Sequence, residues 1–212
     1  MRRIVLIDAH AIIHRAFHAL PTLNAPAGVP TNAVYGFASI LLKILKDLKP
    51  DYAVAAFDHE GQTFRHLAFK SYKAHREKAP DELYRQIPLV KELLAAFGIP
   101  VMEKPGYEAD DLIGTAANLV RHRHPNAEII IVTGDLDALQ LVDEKTKVFT
   151  MKKGVSDTIL YGIETVKERY GLRPEQLIDF KGLRGDPSDN IPGVRGIGEK
   201  TASMLINKFE NL

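Results

Sequence analysis

Nine carboxylates stand out by position in this chain: Asp8, Asp58, Glu108, Asp110, Asp111, Asp135, Asp137, Asp186 and Asp189. Three of them follow apolar runs, Asp8 after residues 4–7, Asp58 after 53–57 and Asp135 just beyond 129–132. Glu108, Asp110 and Asp111 crowd the stretch Gly-Tyr-Glu-Ala-Asp-Asp at 106–111, Asp137 comes two residues after Asp135, and Asp186 and Asp189 lie in the turn-rich stretch 184–190. Singly, each has an ordinary use. A strand-end aspartate caps the next helix, an acid in a first helical turn complements the dipole, and turn aspartates close Asx turns. Gathered together without counter-ions, they would repel one another and hold their protons. Hard divalent cations such as Mg²⁺ or Mn²⁺ relieve this, because carboxylate oxygens suit them. Two such ions about 4 Å apart form the clamp that serves in-line displacement at phosphorus, one activating water and the other stabilising the leaving oxygen.

Two further segments suit a phosphate backbone. Between residues 60 and 80, five basic side chains, Arg65, Lys70, Lys73, Arg76 and Lys78, meet two glutamates and interleave with Phe64, Phe69 and Tyr72. Cations neutralise phosphate and aromatic rings stack on bases, although a solvated amphipathic face has the same texture. The second segment, 191–202, reads Ile-Pro-Gly-Val-Arg-Gly-Ile-Gly-Glu-Lys-Thr-Ala. Its glycines let backbone N–H groups approach a phosphate at a helix start. Gly193, Arg195, Gly196, Gly198, Lys200 and Thr201 are the candidate contacts of a helix-hairpin-helix element, which holds duplex backbone without reading its sequence.

The elements that must position these groups follow from hydrophobic periodicity. The runs 4–7, 53–57 and 129–132 are apolar without alternation, as in strands of a parallel sheet buried on both faces, and 99–102 is a weaker fourth. In such a sheet the carboxyl ends share one edge, so Asp8, Asp58 and Asp135 would converge there. Between the runs, Phe37, Ile40, Leu41, Ile44, Leu45 and Leu48 form one helical stripe that Pro50 ends. A second helix is predicted from Asp81 as N-cap to just before Gly98, and a third from about Glu108. Strands alternating with helices give an α/β doubly wound fold. Beyond about residue 160 strand runs vanish and short helical pieces alternate with Gly-rich turns. This predicts a core over 1–160 and an appended helical module over 161–212.

The 212 residues include no cysteine, which excludes disulfides, thiolate zinc sites and cysteine nucleophiles and suits a reducing compartment. No apolar run approaches the roughly 18 residues of a membrane span, so a cytoplasmic location without membrane contact is expected. The formal net charge is only +1. With nine of the 27 acids assigned to one site, however, 18 remain against 28 basic residues, a balance of +10 on the rest of the chain. His10, His14 and His18 recur at helical spacing, and could either build a zinc site or pack beside the acids. Two other phosphoryl-transfer classes fit less well. A haloacid-dehalogenase-like phosphatase wants Asp-x-Asp where this chain has Asp8-Ala9-His10, and a Toprim domain wants a glutamate after its first strand.

The motifs at 15–20, 33–37, 63–66, 106–111, 133–137 and 185–202 span nearly the whole chain, and through them it resembles the 5′-nuclease family. That family comprises the N-terminal region of bacterial DNA polymerase I and the flap endonucleases. The resemblance implies a PIN-like α/β core with a mainly parallel sheet, a helical arch at about 60–80, and a C-terminal helix-hairpin-helix module. It implies 5′-3′ exonuclease and flap endonuclease action on DNA with a 5′ flap or 5′ end, or on RNA primer–DNA hybrids, in primer removal and repair. Asp8, Asp58, Glu108, Asp110 and Asp111 would hold one ion, and Asp135, Asp137, Asp186 and Asp189 the second, with Asp135 able to bridge. Asp58, Asp110, Lys73 and Arg76 would carry the catalysis, Lys73 and Arg76 at the scissile phosphate. Arg65, Lys70 and Tyr72 would contact DNA, Tyr72 by stacking, and the hairpin would hold duplex with a K⁺ ion. A monomer in the bacterial nucleoid, with a DNA polymerase in cis or in trans, is the implied setting. Ala9, Leu136 and Arg195 depart from the residues usual at those places. The family's nuclease region continues past the point matching Leu212, so weakened duplex binding is expected, and a non-catalytic junction-binding module is the alternative.

Overall fold

The computed structural model describes residues 1–26, 28–153 and 157–211. Strand β1 (Arg3–Asp8) becomes fully buried from Val5 onward. It pairs in parallel with β2 (Tyr52–Ala56) on one side and β4 (Glu128–Val132) on the other. The register sets Asp8 opposite Ala56 and Ile7 opposite Val132, so the three strands finish at one edge of the sheet. Helix α1 (Ala9–Ala19) leaves that edge directly, capped by Asp8. Helix α2 (Asn32–Leu48) packs back along α1. Gly36 permits this close approach, since a Cβ there would stand 2.7 Å from that of Ala16. Lys49 in the left-handed region, followed by Pro50, ends α2.

The predicted helix from Asp81 is two pieces, α4 (Asp81–Tyr84) and α5 (Ile87–Ala96), after the short α3 (Phe64–Ala68). Pro80, not Asp81, is the N-cap. Pro88 lacks the N–H that would bond the carbonyl four residues back, so one continuous helix cannot run through it. Gln86 at the break is fully buried; its side-chain oxygen accepts from the N–H of Ala33 at 2.8 Å, serving the start of α2. The fourth strand is only β3 (Val101–Met102). Helix α6 (Ala109–Arg123) begins after Glu108, as expected.

Two strands escaped the sequence reading, β5 (Thr146–Lys153) and β6 (Asp157–Tyr161). Both mix polar and apolar residues and lack the continuous apolar run of a doubly buried strand. The sheet order is β3-β2-β1-β4-β5-β6, parallel except for the β5–β6 pair. One face is covered by α1, α2, α4 and α5 through Ile12, Phe37, Ile40, Leu83 and Val90. The other carries α6, a 3₁₀ turn (Leu136–Leu141), α7 (Ile163–Tyr170), α8 (Leu177–Arg184) and α9 (Glu199–Phe209). There Leu6, Ile131 and Val148 share one apolar cluster with Val166, Phe180 and Ile206, so the C-terminal helices are packed into the core rather than merely appended to it.

The segment 60–80 differs from the expected helical arch. Its regular part is the five-residue α3, after which 69–76 proceeds as turns. Lys73 has φ +54°, which interrupts any helix, and its N–H bonds the Asp189 carbonyl at 3.0 Å.

Candidate active site

The sheet edge where β1, β2 and β4 end opens into a cleft of about 300 Å³ lined by Asp8, Asp58, Glu108, Asp110 and Asp135. Asp8 is almost fully buried; one carboxylate oxygen accepts from the Ala11 N–H at 3.0 Å and the other from the Thr133 hydroxyl at 2.6 Å. Burial outweighs these bonds and pushes its pKa up to about 6. Asp58 accepts from the Ala109 N–H at 2.7 Å, tying the end of β2 to the start of α6. Its other oxygen is 3.8 Å from Nε2 of His10.

Glu108 caps α6 and receives the Tyr72 hydroxyl at 2.9 Å and the Lys73 ammonium at 3.0 Å. Asp110, in the first turn of that helix, is strongly perturbed. Burial, with Asp8, Asp135 and Asp58 facing it, pushes its pKa up to about 8 against the pull of Lys73. Asp135 caps the 3₁₀ turn, accepting from the Asp137 N–H at 2.9 Å, while its own N–H donates to Thr133 Oγ1 at 2.9 Å. Thr133 thus links two of the acids. It stands in the Val-Thr-Gly-Asp stretch, yet its role is not legible in the sequence, because its bond to Asp8 depends on β1 lying beside β4, although its bond to the Asp135 N–H is local.

Asp137, Asp186 and Asp189 form a second group, each offering an oxygen within 4.8 Å of the others, the one such group of three among the described residues. The ammonium of Lys181, on α8, contacts Asp137 and lies 2.7 Å from Asp186, and Arg76 reaches Asp189. Burial disfavours the Asp186 charge, but Lys181 and Ser188 hold its pKa down at about 2. Burial and Asp135 push Asp137 up. Asp135 therefore faces the first group and acts electrostatically on the second.

Three of the expected site residues are engaged within the protein. Asp111 does not line the first cleft. Its carboxylate takes a two-pronged contact from Arg65 at 2.8 and 2.7 Å and the Glu108 N–H at 3.0 Å, which hold its pKa down despite burial. Arg65 is correspondingly engaged within the protein rather than presented to a phosphate. Tyr72 is only 5% exposed, with its ring edge-on to His66, so it offers no open face to a base. The exposed rings of this segment are Phe64 and Phe69. They flank an apolar hollow of about 360 Å³ together with Ala68 and Ile191.

Lys70 is exposed, and Lys73 and Arg76 project into the first cleft. His10 and His14 line it too, while burial and the neighbouring imidazoles lower His14 to about 4. The hairpin lies next to the second acid group, because Asp186 and Ile191 exchange backbone hydrogen bonds at 2.8 Å. Gly193 has φ +64°, and a Cβ there would fall 2.3 Å from the Gly185 nitrogen, so the turn closes only with glycine. Arg195, Gly196, Gly198, Lys200 and Thr201 are all exposed around the start of α9.

Residues 3–171 match the family described as 5′-3′ exonuclease, N-terminal resolvase-like domain, and residues 172–212 the family described as 5′-3′ exonuclease, C-terminal SAM fold. The chain belongs to the 5′-3′ exonuclease family. DNA polymerase I of Bacillus subtilis (strain 168) is 50% identical over 211 residues, which cover 100% of this chain and 24% of that protein. DNA polymerase I of Caldicellulosiruptor bescii is 46% identical over 212 residues, 99% of this chain and 25% of that one. The chain thus spans about a quarter of the length of these relatives. T5 5′-exonuclease, solved with divalent metal ions (zinc) bound, superposes with a TM-score of 0.77 at 21% identity, over 99% of this chain and 76% of that one. The catalytic core of Rad2, solved in complex with DNA substrate, superposes with a TM-score of 0.59 at 23% identity, covering 100% of this chain and 63% of that one. At such identities the likeness concerns the fold: a PIN-like, mostly parallel sheet flanked by helices, followed by a SAM-like helical part.

Within this exonuclease fold the donors at the site are chiefly carboxylate oxygens, with the imidazoles of His10 and His14 beside them and no thiolate in the chain. Burial, with the facing carboxylates, pushes Asp8 up to about 6 and Asp110 up to about 8, and a divalent cation among these oxygens would offset that cost.

Proposed function

We infer that this chain is a divalent-metal-dependent 5′-3′ exonuclease and flap endonuclease domain. It hydrolyses phosphodiesters of DNA, or of an RNA primer on DNA, near a 5′ single-strand/duplex junction, using two Mg²⁺ or Mn²⁺ ions. The observation that carries this reading is the under-compensated acid cleft at the carboxyl edge of the sheet, set between a cationic segment and a glycine hairpin. Asp8, Asp58, Glu108, Asp110 and Asp135 would hold one ion and Asp137, Asp186 and Asp189 the other. Bound there, the ions would polarise the phosphoryl oxygen and lower the pKa of an attacking water.

The protein's own groups divide the remaining work. Lys73 and Arg76 enter the cleft from the 60–80 segment and would meet the negative charge that develops on the scissile phosphate. Tyr72 orients Glu108 through its hydroxyl. Thr133 holds Asp8 and the Asp135 backbone in register. The hairpin, with Arg195 and Lys200 beside the N-terminus of α9, would hold the duplex backbone, and a K⁺ ion could be retained by its carbonyls. A DNA polymerase acting on the same strand, in cis or in trans, is the partner that the relatives suggest.

An end-labelled 5′-flap substrate incubated with Mg²⁺ and with EDTA tests the reading. Cleavage near the junction with metal and none with EDTA is expected. Cleavage in both would remove the metal chemistry, and binding without cleavage in either would make the chain a junction-binding module.

A further inference from the structure

The cations around the two acid groups are unevenly placed. The five carboxylates of the first group, Asp8, Asp58, Glu108, Asp110 and Asp135, have Lys73 at their rim, its ammonium bonded to Glu108, and the Arg65 guanidinium, already committed to Asp111, 3.8 Å from the same Glu108 oxygen. Arg76 also reaches this cleft but gives its guanidinium to Asp189. The second group has two cations for three carboxylates, since Lys181 joins Asp137 to Asp186 while Arg76 holds Asp189.

We propose that Lys181 is a positioning residue and the resident counter-ion of the Asp137–Asp186–Asp189 group, and that it sets how tightly this group holds a divalent ion. The proposal rests on the reading that both acid groups bind such ions. Its root is geometric. Asp137 comes from the turn after β4 and Asp186 from the turn after α8, so no local contact holds their carboxylates together. The Lys181 ammonium spans them. Buried Leu177, Phe180 and Leu183 anchor α8 to the core and fix where that side chain starts. The second oxygen of Asp186 is taken by Ser188, through its N–H at 2.9 Å and its hydroxyl at 2.6 Å, so the carboxylate is oriented from both sides.

A divalent ion drawn to this group must compete with the ammonium for the same Asp137 and Asp186 oxygens, or sit beside it. Either route lowers affinity. A unit charge about 5 Å from a divalent ion repels it, even in water, by enough to weaken binding roughly tenfold. The Lys181 side chain is about one-third exposed and ends a flexible stem, so it can withdraw towards solvent when an ion enters. The first group, with less cationic compensation, is the tighter site, and the second fills later.

Mn²⁺ binding near neutral pH, followed by calorimetry and by electron paramagnetic resonance of the free ion, tests this on the full chain, its Lys181→Met and Lys181→Arg variants, and Lys181→Gln should the Met variant not fold. Two classes of site are expected in the parent. The neutral variant should bind the weaker-class ion roughly tenfold more tightly, and Lys181→Arg, which keeps the charge, should stay with the parent. A merely structural lysine would give weaker binding on removal, not tighter. An unchanged or weakened second class in the neutral variant, with the tight class intact, would overturn this proposal alone. Absence of Mn²⁺ binding from the parent and every variant would overturn the metal reading and this proposal with it.

Discussion

Replacing Asp110 with asparagine should make the metal-free protein more stable. In the folded chain, burial and the facing Asp8, Asp135 and Asp58 raise this carboxyl from 3.8 to about 8. In the unfolded chain it ionises near its ordinary value. At about pH 7 the unfolded state has therefore released a proton that the folded state keeps, and each unit between 3.8 and that pH weighs about 1.4 kcal/mol against folding. The ceiling is about 4 kcal/mol at pH 7. The sign follows directly: a carboxyl raised on folding leaves stability intact below about pH 4 and erodes it as pH climbs towards 8. Asparagine has nearly the same shape and carries no charge, so Asp110→Asn removes the penalty and keeps the start of α6. Recovery of even 1 kcal/mol raises the melting temperature of a domain this size by about 2–4 °C. The assay is thermal unfolding in EDTA across pH 4.5 to about 8. The variant's advantage should be small at the acid end and grow with pH. Mg²⁺ or Mn²⁺ should then stabilise the parent more than the variant. An Asp110→Asn protein that melts at or below the parent in EDTA at every pH would refute the argument that this cleft is electrostatically under-compensated.

Other outcomes follow from the same geometry. Lys73→Ala should slow flap cleavage by tenfold or more while changing the dissociation constant for DNA much less, measured by single-turnover kinetics beside a binding isotherm. Arg195→Ala and Lys200→Ala should weaken duplex binding without sequence preference and lower the salt dependence of binding by about one unit each. Gly36→Ala, which sets a methyl 2.7 Å from that of Ala16, should destabilise the α1–α2 contact by about 1–3 kcal/mol in chemical denaturation.

Much of the sheet edge was legible because its strands are buried on both faces. Residues 4–7, 53–57 and 129–132 advertise themselves as unbroken apolar runs, and the aspartates after them must then share an edge whatever the details of packing. Strands β5 and β6 were not legible, since they mix lysines and threonines with apolar residues. The interruption before α5 has its local signal in Pro88, but the apolar period continues across it and masks the break. The 60–80 segment misled in the other direction. Its cationic and aromatic texture suggested side chains presented to nucleic acid, whereas Arg65 is spent on Asp111 and Tyr72 on Glu108.

The types and order of the chemical groups are local properties, and the sequence by itself determined them: carboxylates at strand ends and helix starts, a donor set rich in oxygen and without thiols, and glycines where a hairpin must turn. Which acid stands beside which cation is not local. Lys181 meets an aspartate 44 residues before it, and Arg76 meets one 113 residues after it. No spacing rule joins such pairs. Only the packing of α8 against the sheet and the descent of 69–76 onto the Pro187–Asp189 turn bring them within reach. The tertiary structure therefore decided the charge balance, leaving the first acid group short of positive charge and the second nearly matched.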